Sequence, residues 1–178
     1  MKMRFFGLGA KVMQKLGVDT RLLAAGDIFP ALERGTIDAT EFSMPAIDQN
    51  LGFYNIAKPD HFPGRHQQST LQELLINKAK YESLSDVQRL LIHTACKANV
   101  ANQLAEGEAI QGKALAELQA WGVSIHMCDG SILDVYAENW GEVVVEESAA
   151  NPDLKMVYDN LSAFREGDAH WEDLGYPK

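Results

Sequence analysis

Arg4 stands between Met3 and the pair Phe5-Phe6, a cation in the middle of an apolar run. A guanidinium carried into a protein interior without a partner is strongly unfavourable. A carboxylate fits its planar fork through two parallel hydrogen bonds. Arg4 is therefore the first candidate for holding a small organic anion; the other readings are an ion pair within the chain or an outward-facing arginine. Glu41 and Phe42 close the strand expected at Ile37–Phe42, after the Gly35–Asp38 turn, and strand ends facing a cleft are where α/β proteins place ligands. Glu41 reads either as such a group or as a solvated carboxylate.

Other chemistry-bearing residues are less persuasive. His61 and His66 have neither a cysteine nor an E-x-x-H context and read as loop or surface histidines rather than metal ligands. His93 and Cys96 share one helix face, but a cysteine beside Thr94, Ala95 and Ala98 reads as a small packing residue rather than a nucleophile. Cys96 and Cys128 have no short metal-like or redox spacing and are expected to be buried free thiols. The GLG at 7–9 lacks the remaining glycine and the acidic partner of a dinucleotide loop. A carboxylate or Cys–His enzyme and a purely structural helical protein remain the competing functional classes.

The elements that must position these groups follow from periodicity. Up to about Ser69 short apolar strands alternate with short amphipathic helices, the pattern of βαβ units. Strands are expected at Lys2–Phe6, Thr20–Ala24 and Ile37–Phe42, and helices at Gly9–Leu16, Asp27–Arg34 and Met44–Leu51. Gly35 should terminate the second helix, and Pro45 suits the first turn of the third. Asn55–Ser69, with Pro59, Pro63 and Gly64, reads as an extended crossing or loop, and Leu71–Ile76 as a buried strand. From Ser85, which with Gln88 forms a capping box, one helix is expected to about Ala120. It carries a stripe of small residues at Ala95, Ala98, Ala101, Ala105, Ala109, Gly112 and Ala116, with a break near Gly107 or Gly112 as the alternative. Val123–His126 should be a short strand, and Ser131–Ala150 a helix capped by Asp129 or Ser131. A final helix begins at Asn151-Pro152, its aromatic and aliphatic face docked, with Trp140 and Trp171 in the core.

Composition bounds the function. The 178 residues are 46% hydrophobic and 23% charged, enough for one or two domains with a real core. The formal net charge is −9; residues 1–100 carry 12 basic and 10 acidic side chains, residues 101–178 carry 4 and 15. The acidic second part argues against a nucleic-acid or anionic-membrane surface. No run approaches the roughly 18 apolar residues of a membrane span, and none forms a signal-peptide core, so this reading expects a soluble, untargeted chain.

The runs KMRFFG (2–7), LERGTIDATEFSMP (32–45) and FPGRHQQST (62–70), the long helix and the terminal FREGDAHWEDLGY (164–176) together resemble the substrate-binding subunits of tripartite ATP-independent periplasmic (TRAP) transporters, the DctP-type family. The likeness is greatest to the branch with 2-oxo-acid binders and the mannitol or chloroaromatic-compound receptors. It covers nearly the whole chain but only the C-terminal half of such receptors. It implies the second lobe of a periplasmic-binding-protein-like (Venus-flytrap) α/β fold with a long bracing helix and C-terminal helices. The expected divisions are a partial ligand-binding lobe at 1–84, the connecting helix at 85–121, and a short strand with helices at 122–178. The implied function is non-enzymatic: periplasmic capture of a small monocarboxylate, a 2-oxo or 2-hydroxy acid, for delivery to the transporter's membrane subunits, with a possible homodimer through the long helix. By resemblance Arg4 clamps the ligand carboxylate. Glu41, the carbonyl of Phe42 and Gln67 hold a bridging cation, sodium or calcium, with Gln68 the neighbouring alternative to Gln67. Phe42 and Arg65 form pocket walls at positions where relatives often carry tryptophan.

Overall fold

The computed structural model describes residues 1–64 and 70–175. Its central unit is a three-stranded parallel sheet in which β1 (Lys2–Arg4) lies between β2 (Asp19–Arg21) and β3 (Ala39–Thr40). Arg4 is level with Arg21 on one side and Thr40 on the other. The crossovers are α1 (Gly7–Lys15) and α2 (Ala25–Glu33), as parallel strands require. Gly35 ends α2 at φ +65°, the left-handed conformation that glycine adopts without a steric penalty. Behind the sheet Ile28, Ala31, Ile37 and Phe53 form a core cluster, against which Leu23 and Phe42 are partly buried.

The chain continues through α3 (Pro45–Leu51), a 3-10 turn (Phe53–Asn55) and β4 (Pro59–Phe62), then α4 (Lys78–Glu82), α5 (Asp86–Ala109) and α6 (Gln111–Ala120). It ends with β5 (Ser124–Met127), α7 (Gly130–Ala150) and α8 (Pro152–Gly175). β4 and β5 form a separate parallel ladder, His61 level with His126. α3 packs on α6, where Gln111 accepts from the Ala46 amide at 3.1 Å and Gln49 donates to Glu117 at 2.8 Å. α1 packs on α7: Val12 and Met13 are buried on one helix, Val143 and Val144 on the other. Lys11 pairs with Glu147, and Lys15 reaches Glu142 at 3.0 Å and Glu146 at 2.7 Å.

The α/β class and the alternation of elements are as expected; five details differ. Part of the expected loop at 55–69 is β4, because Pro59 occupies the first strand position, where proline is tolerated, and its partner lies some sixty residues on. Leu71–Ile76 is not a strand: it has no ladder partner, and Leu71 is 94% exposed. The expected long helix is two segments meeting at Ile110, with the hydrogen-bond ladder carried across by Ile110 N–H to Glu106 and Ala114 N–H to Ile110. The capping box of Ser85 and Gln88 is present, and Asp129 caps α7. The aromatic face of α8 is only partly covered by described residues: α8 packs on α7 with Leu154 and Tyr158 half-buried, but it has no buried residue, and Trp140 and Trp171 are 37% and 61% exposed rather than core. Cys96 and Cys128 are free, but Cys96 is exposed and Cys128 only half-buried, because α5 packs no buried side chain.

Candidate functional site

Among the described residues Arg4 is the only buried charged or polar one. It sits at the C-terminal end of the central strand, and its neighbour β3 runs on so that the Glu41 amide donates to the Arg4 carbonyl at 3.1 Å. That register places the Glu41 side chain beside the guanidinium. Nη1 donates to Glu41 Oε1 at 2.9 Å and to the Glu41 carbonyl at 2.8 Å, while Nε donates to the Leu23 carbonyl at 3.2 Å. The two side chains are 7% and 8% exposed. Glu41 Oε1 also accepts from the Phe6 amide at 2.8 Å, at the point where Gly7 turns the chain into α1 with φ +60°. The Phe42 ring lies against the guanidinium, 5.1 Å from its centroid to Cζ, and packs edge-on to Phe53 of the core. Strand order, a helix entry and an aromatic wall thus converge on one ion pair.

Arg4 is thus paired within the chain, and its partner is the second predicted site residue. The arrangement places Arg4, Glu41 and Phe42 together. Gln67 and Arg65, with His66 and Gln68, lie outside the described residues. His61 is stacked on His126 at 5.0 Å between ring centroids. No hydrogen bond joins His93 to Cys96 among the described residues; His93 Nε2 instead meets the Tyr81 hydroxyl at 3.0 Å.

Two carboxylates next to this pair were not singled out from the sequence. Asp48, in the first turn of α3, accepts from the Ser43 amide at 3.1 Å. Its pKa is pushed up to about 7, first by burial and further by the negative charges of Asp60 and Glu41, against the opposing pulls of the Ser43 amide and Arg4. Burial likewise raises Asp60, against the His61 amide. Both line a cavity of about 80 Å³ with Thr40, Phe53, Tyr54 and Leu118. It is far smaller than the ~300 Å³ and more of a small-molecule pocket. The strand alternation of β4, which turns Asp60 and Phe62 inward, is the signal that finds Asp60; Asp48 needs the packing of α3 to be seen.

The arrangement offers a fixed cation fork, a buried carboxylate and an aromatic wall. Among the described residues no group of three or more His, Cys, Asp or Glu converges. The Phe42 carbonyl accepts no hydrogen bond from a described residue.

A family profile for bacterial extracellular solute-binding proteins, family 7 (DctP), matches residues 1–149. A monocarboxylate 2-oxoacid-binding periplasmic protein of Nostoc is 30% identical over 171 residues, 96% of this chain and 47% of its own length. A TRAP transporter solute-binding protein of Bordetella bronchiseptica, a dimer with calcium and picolinate in one site, superposes at TM-score 0.88 with 31% identity, over 98% of this chain and 52% of that one. A TRAP solute-binding protein of Pseudoalteromonas atlantica, with sodium and pyruvate bound, shares the fold at TM-score 0.85 and 24% identity, over 98% and 53%. The chain thus spans about half the length of these relatives. With a profile match over residues 1–149, a relative 30% identical over 96% of the chain and a solved structure 31% identical that superposes over 98% of it, this chain belongs to family 7 of the bacterial extracellular solute-binding proteins.

Proposed function

We propose that this chain provides one wall of a TRAP solute receptor that captures a small monocarboxylate, a 2-oxo or 2-hydroxy acid, together with a hard cation. The observation that carries this reading is the buried Arg4–Glu41 pair at the carboxyl end of the parallel strands, the edge where open α/β sheets bind ligands. The names of the Nostoc relative, a 2-oxoacid binder, and of the Bordetella relative, holding calcium and picolinate, support it.

The donor set suits such a cation. Glu41 brings a buried carboxylate and Phe42 a carbonyl without a hydrogen bond from a described residue, both oxygen donors of the kind sodium and calcium prefer. Gln67 is proposed as a further donor and Arg65 as a wall. Such a cation would be held by Glu41 and the Phe42 carbonyl and would supply positive charge that favours an anionic ligand. Arg4 orients the acid by donating to its carboxylate, and the Phe42 ring shields that contact from water.

The role is capture rather than turnover, and the setting is the periplasm, with the acid passed to the transporter's membrane subunits. The divisions 1–84, 85–121 and 122–178 are retained as lobe, brace and C-terminal helices. The small-residue stripe of α5 and α6 is exposed along its whole length, which supports a homodimer through that surface. The test is thermal unfolding of the 178-residue chain with pyruvate and other short monocarboxylates, each with calcium or sodium. A ligand at a hundred times its Kd adds about 2.7 kcal/mol, a clear rise in Tm. No rise with any of these acids counts against the proposal.

A further inference from the structure

The geometry points to a second metal site, on the outer face of the β4–β5 ladder, where His61 and His126 together chelate a divalent transition-metal ion such as zinc. The two residues lie far apart in the chain but are direct register partners in the parallel ladder. Paired strand residues carry their side chains to the same face, with the backbones about 4.8 Å apart. Here the rings stack, with 5.0 Å between centroids and 22° between planes. On β4 Asp60 and Phe62 are half-buried while His61 is exposed, and His126 is exposed on β5. The pair thus stands on the opposite side of β4 from the cavity that Asp60 lines. No ring nitrogen of either histidine is hydrogen-bonded to a described residue.

Zinc–imidazole bonds are about 2.0–2.1 Å long, so two nitrogens on a tetrahedral ion stand roughly 3.4 Å apart. Starting from the 5.0 Å stack, the ring edges must approach by about 1.6 Å. Side-chain rotation supplies that movement at two exposed positions whose backbones the ladder already holds side by side. Imidazole suits zinc, copper and nickel, whereas carboxylate and carbonyl oxygens suit sodium and calcium. The donor type therefore separates this pair from Glu41 and Phe42, and the pair needs no acid at Arg4 to take its ion. Among the described residues no third His, Cys, Asp or Glu converges with it, so water completes the coordination and the ion stays exchangeable. Bound there, the ion ties β4 to β5 in a ladder of only two strands, a unit that is marginal without such support.

Zinc chloride titrated into the ¹⁵N-labelled chain tests the site through the imidazole nitrogens, whose resonances report ligation directly. The His61 and His126 rings are expected to shift together and to saturate at one zinc per chain, while calcium at the same concentration moves neither. Calorimetry should show zinc affinity lower by about tenfold or more in His61→Ala and in His126→Ala, because each loses the chelate. His93→Ala, on α5, should bind zinc as the native chain does. Both substituted positions are exposed, so the variants should keep the native circular dichroism; if either does not, the ring shifts of the native chain decide. Rings that stay in place under saturating zinc overturn the site, as does a zinc affinity that neither substitution lowers. Equal shifts with calcium overturn the choice of a nitrogen-seeking ion. Zinc that doubles the sedimenting mass through the same two histidines overturns chelation within one chain.

Discussion

Asp48→Asn should stabilise the protein at neutral pH and leave it unchanged in mild acid. The carboxyl of Asp48 is raised from 3.8 to about 7 in the folded state, so the native protein holds this proton more tightly than the unfolded chain does. Its contribution to stability is complete below about pH 4, falls as the pH rises towards 7, and is then flat. At roughly 1.4 kcal/mol per pH unit this interval sets a ceiling of about 4 kcal/mol. Asp48 is half-buried, so solvent screening brings the expectation to roughly 2 kcal/mol. Asparagine retains an oxygen to accept from the Ser43 amide at its present 3.1 Å, and so removes the charge without removing the contact. Urea unfolding of both proteins at half-unit steps from pH 4.5 to 8 gives the difference directly, cancelling the carboxylates they share. The variant's advantage should grow with pH up to about 7 and then level off. A difference that is constant, or that shrinks as the pH rises, would refute the reasoning about Asp48 and its acidic neighbours.

Arg4→Ala should cost about 3–5 kcal/mol, because it removes the buried guanidinium that pairs with Glu41 at 2.9 Å, whereas Arg4→Met with Glu41→Leu together should cost much less than the two single changes added; denaturant midpoints of the four proteins measure the coupling. Ile28→Ala, at a side chain with no exposure, should lose about 2–5 kcal/mol, while Leu71→Ala at a 94% exposed position should stay within about 0.5 kcal/mol by the same assay. Ser85→Ala removes the capping box of α5 and should lower stability by about 1 kcal/mol, with helical ellipticity falling before the tertiary signal on heating.

Local signals were legible in the sequence and long-range ones were not. Ser85 with Gln88, Asp129 before α7 and Gly35 after α2 act within a few residues, and each has its expected role. Arg4 stood out as a charge within an apolar run, and Glu41 as a carboxylate at the end of an expected strand. That they bond to each other depends on β3 lying beside β1, which no local pattern encodes. For the same reason β4 passed for an extended crossing or loop, since its partner β5 follows three helices later. Leu71–Ile76 shows the reverse failure: an apolar run predicts burial only where a neighbour covers it, and here Leu71, Leu74 and Leu75 are exposed. Asp48 and Asp60 owe their raised pKa values to burial produced by packing, so their residue type alone carried no hint.

The central claim is that the Arg4 guanidinium holds the carboxylate of a small acid. Arg4→Lys tests it most directly, because lysine keeps the charge but has no planar fork. Calorimetric titration of both proteins with pyruvate in saturating calcium should show binding by the native chain and a loss of about tenfold or more in the variant, with the fold verified by circular dichroism. Equal affinity in the two proteins would contradict the account.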